Sequence, residues 1–109
     1  MVAEISEHQN VVTLINVFRV RPERRDALLR LLIEATERTM KDRPGYVSAN
    51  LHVSLDGTRV ANYAQWRSVE DFRAMLDDPE AQRHMAAAAE TAEPDPVLYN
   101  VAYTHHADR

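Results

Sequence analysis

Residues 46–66 read YVSANLHVSLDGTRVANYAQW. Two alternating segments, Tyr46 to Leu55 and Thr58 to Trp66, flank Asp56-Gly57. A two-residue Asp-Gly link of this kind is the strongest short-range signal for a β-hairpin, because a type I′ turn needs positive φ at both central positions. With Leu55 facing Thr58, Leu51 opposes Asn62, Ala49 opposes Ala64 and Val47 opposes Trp66. Opposed residues share a face. One side of the hairpin therefore carries Val47, Ala49, Leu51, Val53, Val60, Asn62, Ala64 and Trp66. Its mate carries Tyr46, Ser48, Asn50, His52, Ala61, Tyr63 and Gln65.

Upstream of the hairpin, Asn10 to Val20 (NVVTLINVFRV) is rich in β-branched residues and apolar in both alternation phases. That pattern describes a central strand covered on both faces. Val12, Leu14, Asn16, Phe18 and Val20 form the more apolar phase. Pro22 suits a first helical turn. Leu28, Leu31, Leu32, Ala35 and Thr39 then recur with helical spacing until Pro44-Gly45 stops the run. Downstream, Ser68-Val69-Glu70-Asp71 resembles a capping box opening a short helix that carries Phe72, Met75 and Leu76. Asp78-Pro79 restarts the helix over Glu80 to Glu90, Pro94 and Pro96 end it, and Val97 to Thr104 reads as a last strand. The order β-α-β-β-α-β with right-handed crossovers predicts an α+β, ferredoxin-like antiparallel sheet with the helices on one face. The first strand then lies beside the third. We expect one domain over residues 1–109, frayed at 1–10 and 105–109.

Composition narrows the chemistry. The 109 residues carry a formal charge of -4, no Cys and two glycines, Gly45 and Gly57. An acidic balance argues against nucleic acid as a partner. Without Cys there is no disulfide scaffold, thiolate nucleophile or Cys-ligated metal. Two isolated glycines cannot build a dinucleotide fingerprint or a P-loop. No apolar run is long enough for a membrane span, and no signal-peptide pattern opens the chain, so a cytoplasmic place is expected. The uncovered sheet face, apolar in the first strand and in Val97, Tyr99, Val101 and Tyr103, asks for a partner. A homodimer through that face and the last strand is the expectation.

Asn16, Asn62 and Trp66 are the polar-tipped members of the helix-facing layer. A single buried Asn is ordinarily an amide satisfied by backbone or water, and a single Trp ordinarily core. Two amides and an indole N–H converging between sheet and helices instead suggest donors aimed at a ligand oxygen where charge develops.

The stretch PGYVSANLHVSLDGTRVANYAQWRSVEDF, Pro44 to Phe72, resembles the antibiotic biosynthesis monooxygenase family, and within it the cofactor-independent anthrone oxygenases of aromatic polyketide pathways. Asn62-Tyr63-Ala64-Gln65-Trp66 carries the most specific part of the likeness, and Asn16 matches a position where several of these oxygenases have a catalytic Asn. The resemblance implies a dimeric α+β barrel with a pocket between sheet and helices in each subunit. It implies oxidation of an anthrone-like aromatic polyketide to a quinone, with O2 as co-substrate and no metal or other cofactor. Asn62 and Trp66 would stabilise the enolate, and Asn16 would position the substrate. A bound water or the substrate's own phenolate would take the proton. Phe18, Leu51, Phe72, Met75 and Met85 are candidate walls for a flat polycycle. Some relatives add a Tyr and an Arg from the second helical region, where this chain has Phe72, with Arg83 and His84 as the polar candidates. His84 could act as a base, although a helix His is more often a surface residue.

Rival readings are a quinol or phenol monooxygenase, a heme-degrading relative, and a non-catalytic dimeric stress or ligand-binding module. A heme enzyme of this fold would want an axial His shortly after Trp66, and residues 67–80 contain none. His52 is expected on the face away from Asn62. His105 and His106 are adjacent in a tail and make no metal site without further ligands.

Overall fold

The computed structural model describes residues 3–7 and 10–107. Four strands, β1 (Val12–Arg19), β2 (Tyr46–Val53), β3 (Arg59–Trp66) and β4 (Pro96–Tyr99), form one sheet in the order β2-β3-β1-β4. Every pairing is antiparallel. The helices are α1 (Arg25–Arg38), α2 (Val69–Leu76) and α3 (Pro79–Thr91), with short 3-10 turns at Pro22–Arg24 and Met40–Asp42. This is the ferredoxin-like α+β arrangement expected, with β1 between β3 and β4. No helix among the described residues is long and apolar enough to cross a membrane.

Local chemistry accounts for the helix starts. Ser68 Oγ accepts the Asp71 N–H at 3.0 Å, and Asp78 Oδ2 accepts the Ala81 N–H at 2.9 Å. Each satisfies one orphan donor of a first turn. Pro79 then supplies a preset φ at the first position of α3. The apolar faces of the helices pack on the β1–β3 layer in two groups. Leu28, Phe18, Val20, Val60 and Ala88 form one, and Val12, Leu14, Ala64, Trp66, Phe72 and Met75 form the other.

The hairpin register is as expected, with Leu51 opposite Asn62, Ala49 opposite Ala64 and Val53 opposite Val60. The turn is not the type I′ predicted. Only Gly57 has positive φ (76°), and the loop is closed by Ser54 N–H to Arg59 O at 2.9 Å. Asp56 Oδ1 accepts from Ser54 Oγ at 2.7 Å, Thr58 N at 3.0 Å and Thr58 Oγ1 at 2.7 Å. Those bonds hold a wider loop in which Asp56 need not turn left-handed.

A second departure lies at the other end of the hairpin. Trp66 pairs with Tyr46, not Val47, because a β-bulge falls between Tyr46 and Ser48. The extra residue re-aims what precedes it. Tyr46 turns to the helix side and Val47 is left exposed. Gly45, at φ 82°, makes the approach possible, since a Cβ there would collide with the Asp71 side chain.

The last strand is half the length predicted. Tyr99 pairs with Thr13, one residue short of the start of β1 at Val12. Val101 and Tyr103 lie outside any strand. Within the N-terminal segment expected to fray, Glu4 and Glu7 each make a hydrogen bond to a distant part of the chain. Gln65, 2% exposed, accepts from Ser48 Oγ at 2.7 Å and donates Nε2–H to the Glu4 carbonyl at 2.6 Å. Glu7 Oε2 accepts the Thr104 N–H at 3.2 Å. The expectations for Met1, Val2, His8, Gln9, Asp108 and Arg109 fall outside the described residues.

Candidate active site

Between the two groups of core residues lies a cavity of about 610 Å³, inside the roughly 300–1,000 Å³ usual for small-molecule sites. Its floor is the sheet, through Leu14, Asn16 and Phe18 of β1, Asn62, Ala64 and Trp66 of β3, and Tyr46 and Ala49 of β2. Phe72, Met75, His84 and Met85 close it from the helices, Pro94 from the approach to β4 and Pro96 from its first position.

Asn16 and Asn62 face each other across the β1–β3 pairing. Their amides are in different states. Asn16 Oδ1 accepts the backbone N–H of Asp95 at 2.9 Å. A backbone N–H can only donate, so this contact fixes the oxygen and leaves the NH2 end as a donor. Asn62 Oδ1 is fully buried with no partner, and no hydrogen bond engages its other end among the described residues. Leaving a buried amide oxygen unpaired costs about 1–3 kcal/mol. A ligand hydroxyl would recover that cost.

Trp66 is 3% exposed and held edge-on between two rings, Tyr46 at 5.8 Å and Phe72 at 6.1 Å between centroids. Such T-shaped contacts fix the indole plane. The Tyr46 hydroxyl is pushed above its ordinary pKa of 10.0 by burial, partly offset by the Ala49 backbone N–H. It therefore remains a neutral phenol at physiological pH.

The cavity gathers Asn16, Asn62, Trp66, Phe18, Phe72, Met75, His84 and Met85. Two expected wall residues lie elsewhere. Leu51, on the edge strand nearer the hairpin turn, is outside the lining, and Arg83 is exposed on α3. Successive helical residues diverge by about 100°, so turning His84 inward turns Arg83 out. His84, which sequence alone favours as a surface residue, is half-buried, with Nε2 3.1 Å from Thr39 Oγ1. Tyr46 was missed because a bulge leaves no mark in the alternation pattern, although Gly45 beside it was a signal. His52 is exposed on the far face, its Nδ1 3.2 Å from Asn50 O. Among the described residues, no group of three or more His, Asp or Glu is placed to share a metal ion.

The chain thus has a ferredoxin-like α+β fold with an apolar hollow of small-molecule size between sheet and helices, and amides in its floor. The chain matches the antibiotic biosynthesis monooxygenase family over residues 11–87 and belongs to it. Tetracenomycin-F1 monooxygenase of Streptomyces glaucescens is 43% identical over 102 residues, which is 94% of this chain and 91% of the relative. Among solved structures, a monooxygenase from the gene ActVA-Orf6 of Streptomyces coelicolor, in complex with nanaomycin D, has a TM-score of 0.79 at 26% identity, covering 89% of this chain and 92% of its own. SnoaB, a cofactor-independent oxygenase from Streptomyces nogalater, shares the fold, with a TM-score of 0.70 at 22% identity over 88% of this chain and 97% of its own.

Proposed function

We propose that this protein oxidises an anthrone-type aromatic polyketide to the corresponding quinone with O2, using no metal or flavin. The observation that carries the proposal is the unpartnered Asn62 amide in the floor of an apolar cavity, opposite an Asn16 whose NH2 end is held free. The relatives add support, since one acts on a tetracenomycin and another binds nanaomycin D.

Ground-state O2 is a triplet and reacts slowly with closed-shell molecules unless something gives it an electron. Flavins and metals usually do so. A deprotonated anthrone can do it unaided, because its enolate is extended and electron-rich. The protein's task is then to favour deprotonation, hold the anion and exclude water. Asn62 and the Trp66 indole N–H would donate to the enolate oxygen, a contribution of ~3–4 kcal/mol for each well-placed donor. Asn16 would hold the substrate carbonyl or a neighbouring hydroxyl. Phe18, Phe72, Met75 and Met85 would grip the rings, the methionines adapting to their outline. The reading includes a cytoplasmic homodimer joined through the outer sheet face.

The test is purified protein with 1,8-dihydroxyanthrone under air, followed by quinone absorbance and O2 uptake. We expect turnover unaffected by chelators. Asn62→Ala should lower kcat by about 10²–10³-fold, and Trp66→Phe, which keeps the ring but removes the donor, by a similar order. Rates no faster than buffer across several anthrones and hydroquinones would overturn the assignment in favour of a binding module.

A further inference from the structure

Asn16, Asn62 and Trp66 cannot take up a proton near neutral pH, so the reaction above still needs a base. Two side chains in the cavity wall can ionise, Tyr46 and His84. Tyr46 is half-buried, and desolvation opposes its ionisation, so it stays a neutral phenol. His84 remains. We propose that His84 is the general base that deprotonates the substrate, and that Thr39 positions its imidazole; the inference rests on the anthrone-oxidising reading.

The geometry suits the role. Thr39 closes α1, is 3% exposed and lies 3.1 Å from His84 Nε2. No other hydrogen bond reaches the ring among the described residues. With Nε2–H donated to the threonine oxygen, the neutral tautomer presents a lone pair at Nδ1. A base in a catalytic site is commonly oriented by such a bond to its second nitrogen. The elements packed around His84 bring exposed charged groups: Glu80 and Arg83 on α3, Glu37 and Arg38 on α1, Lys41 and Asp42 on the turn after it, Arg73 on α2 and Asp77 just past it. The half-buried charges there are Arg43 and Asp78, paired with each other at 2.9 Å, and Asp71, which lies against Gly45. None of them forms an ion pair with the imidazole among the described residues.

His84 would move a proton four times in one turnover, taking two and returning two. It removes a proton from the ring methylene, and the C–H electron pair enters the enolate. The enolate carbon reduces O2 and forms a C–O bond to give a peroxide, whose terminal oxygen takes the proton back from the imidazolium. His84 then removes the second methylene proton. That C–H pair closes the carbonyl, the O–O bond breaks, and the departing hydroxide takes the proton and leaves as water. The sum is CH2 + O2 → C=O + H2O.

Anaerobic stopped-flow mixing with 1,8-dihydroxyanthrone isolates the first step, since enolate absorbance appears without turnover. Wild-type protein should show a rapid enolate phase and an acid limb in kcat/KM. His84→Gln should lose the enolate phase, lower kcat by about 10²-fold or more, leave anthrone quenching of Trp66 fluorescence unchanged, and regain rate with added imidazole. Thr39→Val should displace the acid limb, and Thr39→Ser should restore it. If His84→Gln does not fold, as judged by circular dichroism, His84→Asn and the wild-type profile decide. Wild-type turnover with no acid limb, or a folded His84 variant that keeps the enolate phase and rate, would overturn His84 as the base while leaving the oxygenase reading standing. Wild-type protein inert to every anthrone overturns that reading itself.

Discussion

At the scale of single residues, hydrogen-bond inventory separates look-alike amides. Asn16 and Asn62 are the same residue type, opposite each other in register, yet one oxygen is fixed by Asp95 and the other has no partner. Their shared face could be read from the sequence, because the Asp56-Gly57 link sets the pairing and the pairing sets the side. Their different bonding could not, since the Asp95 contact joins positions far apart in the chain. Asp56 itself provides a test. Its carboxylate is held down to about 2 from a usual 3.8, first by the Thr58 hydroxyl, then by the Thr58 N–H and the Ser54 hydroxyl. A carboxyl lowered on folding stabilises the fold fully above its ordinary value and loses that stabilisation as pH falls through the folded value. The Asp56 carboxyl resonance should therefore titrate near 2, and the Thr58 amide protection should decline over that same acid range. A midpoint close to the usual 3.8 would contradict the loop geometry.

Elements were readable where chemistry marks their ends. Ser68 and Asp78 announced two helices, and both caps are made. Strand ends carried no such mark. Val97 to Thr104 alternates as a strand should, but β4 stops at Tyr99, paired with Thr13 one residue short of the start of β1. The bulge at Val47 lies beside Gly45, where the Asp71 side chain leaves no room for a Cβ, a tertiary contact invisible to a local pattern. The same asymmetry explains Tyr46, an unforeseen wall of the cavity. For α2, Ser68→Ala should cost about 1 kcal/mol and lower Tm by about 4–8 °C, the shift expected for a domain near this size. Because α2 carries Phe72 and Met75 into the cavity, the variant should also bind anthrones more weakly. An unchanged melting curve would show that the cap is not formed in solution.

At the scale of the whole molecule, the sheet has one face under helices and one without. Ile15, Val17, Ala61 and Tyr63 lie on the uncovered face, with Val97 at 41% and Tyr99 at 47% exposure beside them. That apolar field is what a second copy of the chain would cover. Sedimentation equilibrium should find a homodimer, and Val17→Asp, facing away from the cavity, should shift it toward monomer. A wild-type chain that sediments as a monomer throughout the micromolar range would remove the dimer from the proposal.

Gln65 spans the two sides of this picture. It sits next to Trp66 in β3, and its amide is clasped by the Glu4 carbonyl on the far side of the sheet. Whoever purifies the protein meets this contact first. An affinity tag fused at the amino end would pull on a segment that braces the strand beneath the indole.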